Sequence, residues 1–129
     1  MDSAEVRYLK INFDRVLEEL RRYASVKGRG HETKAIILVG SLAKGTYTGV
    51  SDADVLVIAD DVPARMADRY ALFADTSLGI DLEPLVYTTK ELLNRIEQAD
   101  HFAIESISKG IPLFGEDFVR NLKSKYHLA

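Results

Sequence analysis

Apolar residues recur every three or four positions at the start of the chain, at Val6, Leu9, Phe13, Val16, Leu17, Leu20 and Tyr23, with mostly charged and polar residues between them. That spacing predicts an amphipathic helix over about 4–26, its apolar stripe facing a core. Gly28-Arg29-Gly30 breaks the helix, and a basic loop from Lys27 to Lys34 leads into a different pattern. Ala35-Ile36-Ile37-Leu38-Val39 is a short unbroken apolar run rich in branched side chains, and Ala53 to Ala59 is a second; both suit buried strands. A third strand-like stretch, Leu78 to Tyr87, contains Pro84, which bends it or puts it at a sheet edge. Before it, Asp60-Asp61-Val62-Pro63 ends the second strand and opens a helix, with Asp61 as cap, Pro63 in the first turn, and Met66, Tyr70 and Phe73 as packing residues.

The remaining elements are short. Thr88-Thr89-Lys90-Glu91 has the spacing of a capping box, and Leu92, Leu93 and Ile96 give the following helix a buried side. Another helix begins near Asp100 and ends at Lys109-Gly110, with Phe102, Ile104 and Ile107 assigned to core or a subunit contact. Pro112-Leu113-Phe114-Gly115 is a turn or short extended piece, and Glu116 to Lys125 has helical potential. Strands alternating with helices predict an α/β fold in one domain spanning residues 1–129.

With 129 residues, 47% hydrophobic and 29% charged, the chain can bury a core of ordinary globular composition. A formal net charge of −3 offers no global basic field, so long nucleic acid is not the expected partner. The chain has no cysteine, which removes disulfides, thiolate nucleophiles and thiolate metal sites. No apolar run reaches membrane-spanning length and Met1 to Glu5 does not begin a signal peptide, so the expected location is the cytoplasm.

The chemistry is concentrated where the first strand ends. Gly40 can adopt backbone angles closed to other residues and lets a phosphate approach the main chain, and Ser41 adds a hydroxyl and an amide. After ten intervening residues, Asp52-Ala53-Asp54 enters the second strand; a period of two puts both carboxylates on one face, about 7 Å apart. Two charges leading into Val55-Leu56-Val57-Ile58 are costly unless they meet metal or solvent. A third carboxylate, beside the attacking hydroxyl, is what two-metal phosphoryl transfer needs. Asp81 is the candidate, framed by Ile80 and Leu82. Glu83 alternates onto the same face and is read as a solvated neighbour.

On Gly40, Ser41, Asp52, Asp54 and Asp81 the chain resembles the minimal nucleotidyltransferases of the DNA polymerase beta-like nucleotidyltransferase superfamily, from Ile36 to Gly115. The resemblance implies a small mixed sheet of three or four strands with helices mainly on one side. It also implies a metal-dependent transfer of a nucleoside monophosphate, AMP from ATP, to a hydroxyl with release of pyrophosphate. Gly40 and Ser41 would hold the phosphates, and Asp52, Asp54 and Asp81 would bind two Mg2+ ions. Lys44 and Gly45 fit the family's continuation after Gly-Ser, making Lys44 a phosphate contact or a solvated lysine.

The acceptor is open at this level. The resemblance implies the antitoxin partner of a helical HEPN-domain toxin, with AMP transferred to a tyrosine of that protein. One alternative is a small-molecule, aminoglycoside-like transferase, for which a homodimer would have to supply the wall that a longer chain builds itself. Another is a non-catalytic nucleotide-binding or toxin-neutralising module, against which three acidic positions argue. Tyr47 is read as a packed loop aromatic in preference to a base-stacking or nucleotide-accepting one. His31, His101 and His127 lack metal-ligand spacing and are read as surface histidines, although His101 is also a conceivable proton shuttle.

Overall fold

The computed structural model describes residues 3–45 and 52–129, with the side chains of the first helix from Phe13 onward. Tyr47 and the side chains of Val6 and Leu9 lie outside the described residues. In chain order the elements are α1 (Ser3–Lys27), β1 (Thr33–Val39), α2 (Gly40–Lys44), β2 (Ala53–Ala59), α3 (Met66–Phe73), β3 (Leu82–Tyr87), α4 (Thr89–Glu97), α5 (His101–Lys109), β4 (Ile111–Phe114) and α6 (Glu116–Lys125). The strands form one mixed sheet in the order β3-β2-β1-β4. β1 runs antiparallel to β2 and β4, while β2 and β3 are parallel and joined through α3, the crossover that a parallel pair requires. The α/β expectation is met, and Pro84 indeed lies in an edge strand.

Helices cover both faces of the sheet, not mainly one. Ile36, Leu38, Val55, Val57 and Val86 pack with Leu20 and Ala24 of α1 and Phe73 of α3. Their strand neighbours Ala35, Ile37, Leu56, Ile58 and Tyr87 pack with Leu92 and Ile96 of α4, Ile107 of α5 and Leu122 of α6. The reason is visible in β1 and β2: a strand solvated on one side alternates apolar with polar, whereas these runs are apolar throughout and need cover on both sides. Each fully buried Leu or Ile contributes on the order of 2 kcal/mol of apolar burial, so leaving either face open would be prohibitive.

The expected helix after β2 starts later than its sequence suggests. Asp61 and Pro63 precede α3 as loop, and the residue flanking the first turn is Arg65. The Asp61 N–H is spent on the carbonyl of His31, and the Pro63 carbonyl accepts from Arg69 Nε, which holds this segment away from helical geometry. Of the three residues expected to pack, Phe73 is buried but Met66 and Tyr70 are exposed. The face they left is filled by Arg69, only 5% exposed, whose guanidinium donates to the Val86 carbonyl at 3.1 Å and to Glu91 Oε1 at 2.7 Å. Glu91 also completes the expected capping box with Thr88. One arginine thus ties α3 to β3 and to the start of α4.

Arg69→Ala removes the donor and leaves Val86 O and the Glu91 carboxylate short of a partner. A loss of about 2 kcal/mol in urea unfolding is expected. The Arg69 hydrogen bond holds the Glu91 carboxyl below its ordinary value, so the stabilisation is complete above that value and lost as pH falls through the depressed one. Arg69→Ala should therefore also flatten the acid limb of the stability profile, which urea titrations at stepped pH would read.

Candidate active site

The topology brings four chain segments to one end of the sheet. β1 ends there at Val39, its antiparallel partner β2 begins there, and β3, parallel to β2, begins there too. β4 also starts at this end, with Ile111 paired to Leu38 directly after the close of α5. Residues separated by seventy positions in sequence are therefore neighbours at a single edge.

Gly40 turns the chain out of β1 with φ +73°, the left-handed region in which a side chain is strained. Its need for glycine is double, because a Cβ at this position would lie 2.5 Å from Asp54 Oδ2 and 3.3 Å from Asp54 Cβ. The turn and the second aspartate are thus in direct contact, since the β1–β2 register places Asp54 opposite Val39. Gly40 to Lys44 then form a single helical turn, α2, closed by Gly45 at φ 74°. The sequence reading expected only a turn here; a five-residue helix is too short for hydrophobic periodicity to reveal.

Asp52 is exposed just ahead of β2, and Asp54 is half-buried inside it. Burial first, and then the negative charge of Asp52, push the Asp54 carboxyl above its ordinary value. A cation between the two carboxylates would relieve this penalty. Asp81 lies exposed immediately before β3, where its carbonyl accepts the Ala53 N–H at 2.8 Å and continues the ladder between the two strands. Within the ladder, Ala53 pairs with Leu82 and Asp54 with Glu83, which sets an exposed glutamate opposite the half-buried aspartate on a neighbouring strand about 4.8 Å away. Interstrand register, which spacing along one strand does not contain, makes Glu83 a carboxylate of this edge alongside Asp81.

Among the described residues, no three Asp, Glu, His or Cys side chains are gathered closely enough to hold an ion by themselves. The expected trio Asp52, Asp54 and Asp81 is therefore not gathered into one ion-holding group; a Mg2+ ion is commonly bound by one or two carboxylates together with waters and substrate phosphates. Asp52 and Asp54 fit as its hard oxygen donors. Ser41 is half-buried beside the Gly40 turn. Lys44 is engaged: its ammonium lies 3.0 Å from Glu105 Oε1 on α5. His101 Nε2 approaches the other oxygen of the same carboxylate at 3.3 Å, and the Glu105 carboxyl is held below its ordinary value, chiefly by the Lys44 hydrogen bond. His31 and His127 are exposed and lie on other parts of the chain, His31 against the Asp61 carbonyl.

A glycine turn stacked on a coupled aspartate pair is found here within a matching family. Residues 14–111 match the model of the nucleotidyltransferase domain. The chain belongs to this family. Two curated relatives of Methanocaldococcus jannaschii carry the name "putative protein adenylyltransferase". One is 38% identical over 69 residues, covering 49% of this chain and 47% of the relative, so the alignment spans about half of that protein's length. The other is 30% identical over 78 residues, covering 54% of this chain and 75% of the relative. Among solved structures, a chain from a toxin–antitoxin crystal structure with AMP-PNP superposes with a TM-score of 0.54 over 83% of this chain and 86% of its own length. At 22% identity the likeness is one of fold.

Two substitutions probe the edge. Gly40→Ala puts a Cβ against the Asp54 carboxylate at a positive φ, and should cost on the order of 1–2 kcal/mol in chemical unfolding. Asp54→Asn has the opposite sign. The folded-state pKa of Asp54 is raised, so ionisation opposes folding: that penalty is absent below the ordinary aspartate value and complete above the raised one. Metal-free Asp54→Asn should melt above the parent at pH 7, with the difference closing as pH falls toward the ordinary aspartate range; thermal melts across pH would measure this.

Proposed function

We propose that residues 1–129 act as one minimal nucleotidyltransferase domain that moves AMP from Mg2+-bound ATP onto a hydroxyl of a protein acceptor. The observation carrying this reading is the contact between the Gly40 turn and Asp54, which brings a phosphate-accepting backbone against a charge-coupled aspartate pair. When bound, Mg2+ supplies neutralisation of the triphosphate and polarisation of its phosphorus centres. Asp52 and Asp54 would hold it. Gly40 offers its main chain without obstruction, and the Ser41 hydroxyl and amide are donors suited to phosphate oxygens. Lys44, released from Glu105, adds a further positive charge.

In the transfer, the acceptor oxygen forms a bond to the α-phosphorus as the bond from that phosphorus to the bridging α–β oxygen breaks, and pyrophosphate leaves. The acceptor's proton passes to a carboxylate on the β3 side of the edge. Asp81 is the sequence-based candidate for this role, and the register of Glu83 with Asp54 favours Glu83 as well. Orientation and preorganised charge supply most of the acceleration.

The names of the curated relatives support a protein acceptor, and the toxin–antitoxin source of the structural neighbour supports a toxin as that protein. The proposed partner is a helical HEPN-domain toxin modified on tyrosine, in the cytoplasm. Among the described residues no helix is long and apolar enough to cross a membrane.

Incubation with Mg2+, α-labelled ATP and the proteins of the native host should place label on a discrete polypeptide. Asp52→Asn and Asp54→Asn should lose Mg2+-dependent ATP binding and labelling together. Asp81→Asn and Glu83→Gln divide the remaining role: the true third carboxylate should lose at least about a hundredfold in labelling rate, while its neighbour loses little. Retention of labelling in Asp54→Asn would overturn the assigned site.

A further inference from the structure

Lys44 is the basic side chain of the phosphate turn, and it is already occupied. Its ammonium lies 3.0 Å from Glu105 Oε1, and this pair spans the narrow cleft in which Gly40 and Lys44 of α2 face Ser106 and Lys109 of α5. Lys44 stands four residues after Gly40 in α2, about 6 Å along the axis, and helical side chains lean toward the N-terminus. The lysine is thus placed to reach back to the turn, yet its charge is drawn sideways to α5. Glu105, by contrast, is fixed from both ends of its helix. Asp100 caps α5 through the N–H groups of Phe102 and Ala103, and at the other end a Cβ on Gly110 would strike Ile37 and the Ser106 carbonyl, so α5 is pressed onto β1. Ala103 and Ile107 of α5 pack on the sheet face that carries Leu56 and Ile58, and strand alternation puts Asp54 on that face too.

A triphosphate bridging Gly40 and Asp54 therefore lies on the side of the sheet that α5 covers, where Glu105 is a fixed negative charge competing with it for one ammonium. We propose that Glu105 is a positioning residue: it parks the Lys44 ammonium away from the phosphate turn until a triphosphate takes that cation over. The proposal rests on the nucleotidyl-transfer reading of the Gly40–Asp54 edge and adds a control on nucleotide entry there. A triphosphate carries several negative charges against one on the carboxylate, so Coulomb attraction favours the exchange. The Lys44 side chain is 47% exposed and moves through water, not through packed core. Its departure leaves Glu105 with company, because His101 Nε2 is 3.3 Å from the other carboxylate oxygen and Lys109 lies one turn farther along the same helix.

Calorimetry of ATP and inorganic tripolyphosphate binding to the whole chain in Mg2+, for the parent, Glu105→Gln, Lys44→Met and the double variant, tests this. Glu105→Gln should bind both ligands about fivefold tighter, the upper range for a partly exposed ion pair, and Lys44→Met should bind both more weakly than the parent. In the Lys44→Met background Glu105→Gln should change nothing, because Glu105 acts through the lysine. Damage to the fold loses affinity, so a gain separates the parking role from a structural one. Unchanged or weaker binding in Glu105→Gln would overturn the proposal, weaker binding meaning that Glu105 aims the ammonium at the phosphates. A gain that persists without Lys44 would also overturn it, since Glu105 would then repel phosphate directly. In each of these cases, parent ATP binding that is lost in Asp54→Asn leaves the transfer reading standing. Absence of Mg2+-dependent ATP binding in the parent would overturn both.

Discussion

The antiparallel pairing of β1 with β2, sealed on both faces, is the constraint on which the site depends. Its register puts Val39 opposite Asp54, and the residue after Val39 must leave the sheet directly over that carboxylate. A slip of one residue would turn the aliphatic set of each strand to the opposite face and move Asp54 away from the turn. The register is protected by burial: Ile36, Ile37, Leu38, Leu56, Val57 and Ile58 are all fully inaccessible, and their branched shapes fit one alignment. The apolar core thus positions a polar edge to within the contact distance of Gly40 and Asp54.

That edge carries the opposite character. Asp52, Asp54, Asp81 and Glu83 stand at the ends of two parallel neighbours, and burial, followed by the charge of Asp52, raises the pKa of Asp54. Elsewhere the described carboxylates with shifted ionisation are lowered by partners, as Glu91 is by Arg69, Asp100 by Arg95 and Glu105 by Lys44. The contrast separates charges paired within the fold from a charge that burial and a like neighbour raise. The basic side chain closest in sequence to the turn, Lys44, is bound to α5, so ligand binding at the turn and the arrangement of α5 act on the same ion pair.

Both faces of α5 have defined tasks. Ala103 and Ile107 fill the layer beneath the sheet, while Phe102, Glu105 and Lys109 look toward α2. Asp100 caps the helix through the N–H groups of Phe102 and Ala103, and Gly110 lets its other end close onto β1.

Much of this was legible in the residues. The 4–26 helix, the strand Ala53 to Ala59, the Thr88–Glu91 box and the helix from Glu116 to Lys125 follow from local periodicity and capping, which are encoded within a few positions. Gly40 and the aspartates stood out because charge entering a buried strand is costly unless it meets metal or solvent. Local patterns could not say which way α3 would begin, because the distant carbonyl of His31 claimed the Asp61 N–H, nor that an arginine rather than Met66 and Tyr70 would face inward. The sequence by itself determined most of the elements and the carboxylates that are candidates for one site. Tertiary structure alone decided that Glu83 stands opposite Asp54 and that Lys44 meets Glu105, because each depends on register or packing between segments that have no fixed relation until the chain has folded.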